Sequence, residues 1–194
     1  MRYEKGQDLA DLKRSQQAVA QIIEAIGEDP RREGLRDTPR RVAEMYADLL
    51  SGIGVDPRRE LEVGFEEGHH EMVIIKGIPF YSLCEHHFLP FYGVAHIGYI
   101  PSGRVVGISK IARVLDVLAR RPQLQERLTA QIADTIADGL KPEGVAVVIE
   151  AEHLCMVMRG IKKPGSSIVT SASRGSFRRG ATRSEFLSLI QKRL

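Results

Sequence analysis

No apolar run in the 194 residues reaches the roughly 18 that a membrane-spanning helix needs. The N-terminus, Met1-Arg2-Tyr3-Glu4-Lys5-Gly6, lacks the apolar stretch that opens a secretory signal. These two absences lead to the expectation of a cytoplasmic protein with no membrane partner. Cysteine is scarce as well: Cys84 and Cys155 are the only two. In a reducing compartment they are not expected to form a disulfide, and buried inert thiols are their ordinary reading until their neighbours are considered. There is no internal repeat and no low-complexity tract, which excludes a repeat array.

What is present is an ordinary globular composition, 43% hydrophobic and 27% charged. The length suits one domain with a helical appendage. The net charge of +3 is unevenly spread. From Arg159 to the end there are nine basic residues and one acid, Glu185, so this segment carries +8 and the rest −5. A basic end attracts phosphate, whether on a nucleic acid or on a small nucleotide.

Along the chain, Leu9, Leu12, Val19, Ile22, Ile23 and Ile26 recur at helical spacing over residues 8–26. A second helix is expected from Thr38 as N-cap, with Pro39 at its first position and Val42, Met45, Tyr46, Leu49 and Leu50 as its apolar stripe. These helices make residues 1–60 an appendage ahead of a domain over 61–194. Within that domain residues 72–78, 91–100, 145–151, 155–161 and 168–172 read as strands. Residues 109–120 and 124–140 read as helices, and a last helix starts at the capping box Thr182-Arg183-Ser184-Glu185. Strands and helices in this order predict an α+β domain with an antiparallel sheet.

The densest chemical feature is Cys84-Glu85-His86-His87. Cys84 and His87 have the spacing at which one turn aims two ligands at one ion. His153-Leu154-Cys155 is the second such segment; on an extended strand its His and Cys face the same way. Cys84, His87 and Cys155 then supply thiolate and imidazole donors, the set that zinc prefers. A fourth ligand from His86 or His153 would close the site as a structural one. If both stay free they flank an open position as proton-transfer groups. The zinc deaminase pattern, His-x-Glu followed by Pro-Cys-x-x-Cys, is absent, which counts against that reaction class.

A second constellation is basic. Ser109 is read as the N-cap of a helix on which Lys110 and Arg113 are neighbours, an arrangement suited to phosphate. Arg159 is expected on the same strand face as Cys155. Glu126, near the start of the next helix, looks like any surface glutamate, although one carboxylate can accept two N–H bonds from guanine. His96 reads as structural, His69 and His70 as exposed, Phe91 and Tyr92 as core.

The residues then match a known family. The segment 82–93, Ser-Leu-Cys-Glu-His-His-Phe-Leu-Pro-Phe-Tyr-Gly, closely resembles the zinc-binding signature of GTP cyclohydrolase I. Residues 95–101, 106–113 and 153–160 continue the resemblance, as do 38–46 and 182–187, and it covers about residues 17–194. The resemblance implies a tunnelling fold, an antiparallel sheet with helices on one side, assembled as a homodecamer with active sites at subunit interfaces. It implies Zn2+ on Cys84, His87 and Cys155, with His86 and His153 as acid/base residues. It implies triphosphate contacts from Ser109, Lys110, Arg113 and Arg159, and a guanine anchor in Glu126. The implied reaction converts GTP and water to formate and 7,8-dihydroneopterin triphosphate. The competing reading is a structural-zinc domain that binds nucleic acid; Phe177 and Phe186 are a poor base-stacking set for it.

Overall fold

The computed structural model describes residues 11–191 and divides into two compact units, one ending at Val55 and one starting at Asp56. The first unit is a pair of helices, α1 (Leu12–Ala25) and α2 (Thr38–Leu49). α1 begins where the Asp11 carboxylate accepts the Arg14 N–H at 2.9 Å, satisfying one of the orphan amides of a first turn. The expected start at Asp8, with Leu9, lies outside the described residues, as do Lys192 and Arg193. In α2 the cap position belongs to Asp37 rather than Thr38, which is already helical. Asp37 makes no capping bond; its carboxylate pairs with Arg41 at 3.3 Å, and its charge still suits a helix N-terminus.

The second unit opens with a 3-10 turn (Pro57–Leu61) and the strands β1 (Gly64–Glu66), β2 (Val73–Cys84), β3 (Pro90–Ile100) and β4 (Arg104–Val106). There follow α3 (Ile108–Ala119), β5 (Pro122–Gln123), α4 (Gln125–Leu140), β6 (Gly144–His153), α5 (Leu154–Val157) and β7 (Ile168–Gly175). A 3-10 turn (Ser176–Arg178) and α6 (Gly180–Gln191) close it. The main sheet runs β5-β2-β3-β6-β7, and β1 pairs with β4 apart from it. β2, β3, β6 and β7 are antiparallel neighbours, while β5 joins β2 in parallel through Leu83↔Pro122 and Cys84↔Gln123. The sheet is therefore mixed rather than purely antiparallel.

Alternate residues of the strands face opposite ways. Ile75, Ile97, Tyr99, Val145, Val147 and Ile149 join the core that holds Ile111, Val114, Leu115 and Leu118 of α3 and Leu128, Ile132 and Ile136 of α4. Most of these are fully buried, and each contributes about 1.5–3 kcal/mol by leaving water. Ile74, Ala146 and Val148, on the other face, pack with Phe177 and Phe186. α6 thus lies across the sheet from α3 and α4, which corrects the expectation of helices on one side only. Gly98 makes the approach of α6 possible, since a Cβ there would stand 2.9 Å from the Phe186 ring.

Three element assignments change. β2 continues six residues past the expected end at Ile78, through Pro79, whose missing N–H is tolerated because β5 pairs only with Leu83 and Cys84. The expected strand over 155–161 is absent: β6 ends at His153, where pairing with Phe91 stops, and α5 follows. α6 starts at Gly180, with the Arg183 N–H bonded to Arg179 O at 3.1 Å, so Thr182 is inside the helix and the capping box does not form its start.

The sheet has two chemically distinct ends. Cys84, Phe91 and His153 lie at one, next to the start of α4. Val73, Tyr99 and Gly144 lie at the other.

Candidate active site

β2 delivers Cys84, buried, as its last residue. The chain then folds back on it: Cys84 O accepts from His87 N–H at 3.2 Å and Phe88 N–H at 2.8 Å, and Cys84 N–H donates to Leu89 O at 2.9 Å. Phe88 takes a left-handed φ of 53° to close this turn. His87 is thereby returned to its cysteine, with Nδ1 3.9 Å from Cys84 Sγ. The turn is tied to α4 by Arg127, whose two terminal nitrogens donate to the two Glu85 oxygens at 2.6 and 2.8 Å.

Cys155 arrives from the other side on α5. The donor atoms of Cys84, His87 and Cys155 all lie within 4.8 Å of one another. The convergence is helical and not strand-borne, so the expectation that His153 and Cys155 share a strand face is corrected. The same holds for Arg159. It does not extend the strand but lies two residues beyond α5, in the bend that follows the Met158 cap. Arg159 Nη1 donates to His87 Nε2 at 2.8 Å. Burial, and after it the adjacent Cys84 thiol, push the Cys155 thiol above its ordinary range, with Arg159 pulling the other way.

Neither His86 nor His153 belongs to the donor group. His86 is exposed, its ring edge-on to His87 with centroids 6.1 Å apart. His153 is half-buried and stacks flat on Phe91, at 4.6 Å and 7° between planes. Its Nε2 lies 2.7 Å from Gln125 Oε1. Burial pushes this imidazole below its ordinary value, and the Glu126 carboxylate opposes the shift. Glu126 itself is exposed in the first turn of α4.

Ser109, Lys110 and Arg113 are not brought to this end of the sheet. The cap of α3 is Gly107, with no side-chain bond, so Ser109 is the second helical residue and not the N-cap. Ser82 Oγ donates to Ala119 O at 2.7 Å, which fixes the C-terminal end of α3 beside the metal group. Lys110 is nine residues upstream, roughly 13 Å along the helix at its ordinary rise. There Lys110 and Arg113 each reach Glu60 Oε2 at 3.6 Å.

The family model and the curated relatives agree on one family. Residues 15–191 match the family model described as GTP cyclohydrolase I. The chain belongs to the GTP cyclohydrolase I family. It is 67% identical over 180 residues to GTP cyclohydrolase 1 of Dehalococcoides mccartyi, covering 91% of this chain and 95% of that one. Identity to the Carboxydothermus hydrogenoformans protein of the same name is 59% over 184 residues, with 94% and 96% covered. For that of Brevibacillus brevis it is 57% over 183 residues, with 93% and 98% covered. A solved archaeosine synthase QueF-Like in the apo form is similar over 54% of this chain and 94% of its own, at 19% identity and a TM-score of 0.41, a likeness too slight to assign a fold.

Gln125, Arg127 and Glu60 escaped the reading of the sequence. Gln125 had a signal: it stands three residues before Leu128, on the stripe that continues as Ile132 and Ile136, where a polar side chain must find partners inside. Glu60 and Arg127 had none, because their partners lie far away in sequence.

Proposed function

We propose that the protein converts GTP and water to formate and 7,8-dihydroneopterin triphosphate, the opening step of pterin and tetrahydrofolate synthesis. The observation that carries this reading is the convergence of the Cys84, His87 and Cys155 donor atoms within 4.8 Å in a chain of this family. Two thiols and an imidazole suit zinc, and three protein ligands leave a coordination position free. Burial first, and the neighbouring Cys84 thiol after it, disfavour the Cys155 thiolate, and a divalent cation bound between the donors would offset both. The residues present therefore fit a zinc ion. When bound, zinc supplies a Lewis acid that activates water near neutral pH for attack at guanine C8.

The remaining roles fall to the chain's own groups. His153 gives a proton to the imidazole nitrogen of the purine; its lowered pKa makes it a ready donor once protonated. His86, exposed beside His87, protonates the ribose oxygen as the sugar opens. Glu126 accepts hydrogen bonds from the guanine N–H groups. Arg159 holds phosphate from the metal side, and Ser109, Lys110 and Arg113 hold it from α3.

The reading includes a tunnelling fold and a homodecamer whose sites form between subunits. It is supported by the family resemblance, and is compatible with the separation along α3, where Lys110 stands at the far end of that helix from the metal group of its own chain. The helical unit ending at Val55, five residues short of the expected boundary at 60, serves as an appendage to the catalytic domain, and the cytoplasm is the compartment that keeps both thiols reduced. Nothing favours the nucleic-acid alternative, which asks for a fourth protein ligand; the donor group among the described residues has three. The test is direct. Zinc-loaded protein given GTP releases formate in step with GTP consumed and yields a product that fluoresces after oxidation. A zinc-loaded decamer that gives neither refutes the reading.

A further inference from the structure

Gln125 is 1% exposed, a polar side chain enclosed between α4, β6 and β7. Its Nε2 lies 3.1 Å from Ile149 O, 2.9 Å from Ile168 O and 3.1 Å from Thr170 Oγ1. Two of these partners are backbone carbonyls, which only accept, so the amide nitrogen must face them. Turning the amide over would set its oxygen against two carbonyl oxygens and leave buried lone pairs unsatisfied. The hydroxyls around it agree. Thr129 Oγ1 donates to Gln125 O at 2.7 Å and lies 2.7 Å from Thr170 Oγ1. Thr170, which accepts from Gln125, therefore sends its own proton to Thr129. The two amide protons of Gln125 thus serve three acceptors, one of them shared, and all three acceptors call for the nitrogen on that side.

That leaves Gln125 Oε1, an acceptor only, 2.7 Å from His153 Nε2. His153 must therefore donate from Nε2. A neutral imidazole has one N–H, so its Nδ1 carries the lone pair. Nδ1 has no hydrogen-bond partner among the described residues and is not one of the buried orphan atoms. Phe91 lies flat against the ring at 4.6 Å and holds its plane, and a half-turn of the ring would put a carbon in place of Nε2 against Gln125.

We infer that Gln125 is the positioning residue of His153: it fixes the Nε2–H tautomer and makes Nδ1 the nitrogen that exchanges a proton with the nucleotide. This rests on the proposed role of His153 and adds the atom and the residue that selects it. In the proton-transfer step the ring starts as the imidazolium, Nδ1 having taken a proton from water; the N–H bond at Nδ1 breaks, the proton passes to the purine nitrogen, and the electron pair stays on Nδ1 of the neutral ring. The Nε2–H bond to Gln125 is kept throughout. A residue that fixes a tautomer in this way acts on turnover rather than on binding.

The test begins with the unaltered zinc-loaded enzyme, uniformly 15N-labelled at histidine. Its magic-angle-spinning spectrum is recorded about two pH units above the ordinary histidine pKa, and the His153 signals are assigned by their loss in His153→Ala. The expected result is a protonated Nε2 and an unprotonated Nδ1; the reverse pattern overturns the inference whatever any variant does. In Gln125→Met, which keeps the length and removes the acceptor, kcat falls roughly 10- to 100-fold. KM for GTP stays within about twofold, zinc content is unchanged, and both His153 tautomers appear. A folded Gln125→Met with unchanged kcat, or with one tautomer still, also overturns it. If instead His153→Ala retains full turnover, the acid/base role fails while the spectrum still decides the tautomer.

Discussion

Lys110 Nζ and Arg113 Nη1 both lie 3.6 Å from the same oxygen, Glu60 Oε2. The two cations are three apart on α3 and would repel as neighbours on one face. Glu60, whose side chain is only 17% exposed, holds them side by side from the 3-10 turn ahead of β1. If Lys110 and Arg113 hold the triphosphate as proposed, an incoming phosphate oxygen has to share them with this carboxylate.

On that proposal the carboxylate competes with the triphosphate. A partly exposed pair of this kind contributes about 0.2–1 kcal/mol, so Glu60→Gln is expected to lower KM for GTP by roughly two- to fivefold. kcat should not move, since Glu60 touches no reacting atom. Steady-state formate release at low ionic strength reads both constants, and added salt should shrink the difference. A KM that rises instead would mean that Glu60 chiefly orders the two cations.

Metal holding and proton transfer separate by mutation. Cys155→Ala removes one of three donors, and zinc content and activity should vanish together. His153→Ala should keep its zinc while turnover falls by roughly 100- to 10,000-fold, the range of a lost general acid. Elemental analysis of the purified variants decides between them. Loss of zinc from His153→Ala would make that histidine a ligand after all, and the site a closed one.

Much of this arrangement was legible in the sequence because it is local. Cys84 and His87 share one turn, and α3 and α4 announce themselves by the period of their apolar residues. What failed was decided by distant partners. The segment after His153 has strand-like residues, yet its pairing with β3 ends at Phe91, so the backbone closes into a helical turn that carries Cys155 and leaves Arg159 in the bend beyond it. Thr182-Arg183-Ser184-Glu185 has the composition of a cap, but the helix gains a further turn at Arg179 and overrides it. Gln125 was hidden beside Glu126, since its four partners come from strands 24 to 45 residues away.

His96 gives a pH response remote from the metal group. Its Nδ1 accepts the Gly77 N–H at 3.2 Å, at the bulge where Gly77 takes a φ of 70°. Burial pushes the imidazole below its ordinary 6.5, the Glu150 carboxylate opposes this, and Lys76 adds to it. The neutral form is therefore favoured by the fold. Its contribution to stability is full above the unfolded value and is lost as pH falls below 6.5 and through the lower folded value. Protonation at Nδ1 also removes the acceptor of Gly77. Thermal unfolding of wild type and His96→Gln across pH 5–8 should give curves that converge at the acid end. Parallel curves would show that His96 does not titrate in that window.

The separation of the two site halves yields the sharpest test of assembly. Ala119 is bonded to Ser82, two residues from Cys84, while Lys110 lies nine residues away along a straight helix. The far end of the sheet, where Tyr99 is bonded to the Val106 backbone, leads directly into α3. On the proposed shared-site reading, a nucleotide whose base lies at Cys84 of one copy takes its phosphate contacts from Lys110 of another. Lys110→Ala damages the phosphate side and His153→Ala the metal side, leaving either homo-oligomer weak or inactive. Co-expressed, the two chains should pair at random and restore about one intact site in four, a consequence of a heterologous interface between copies. Recovery in the mixed assembly, absent when the separately purified variants are combined without exchange, confirms that the site is shared. Activity no higher than the mean of the parents would place both halves in a single chain and overturn the shared-site reading.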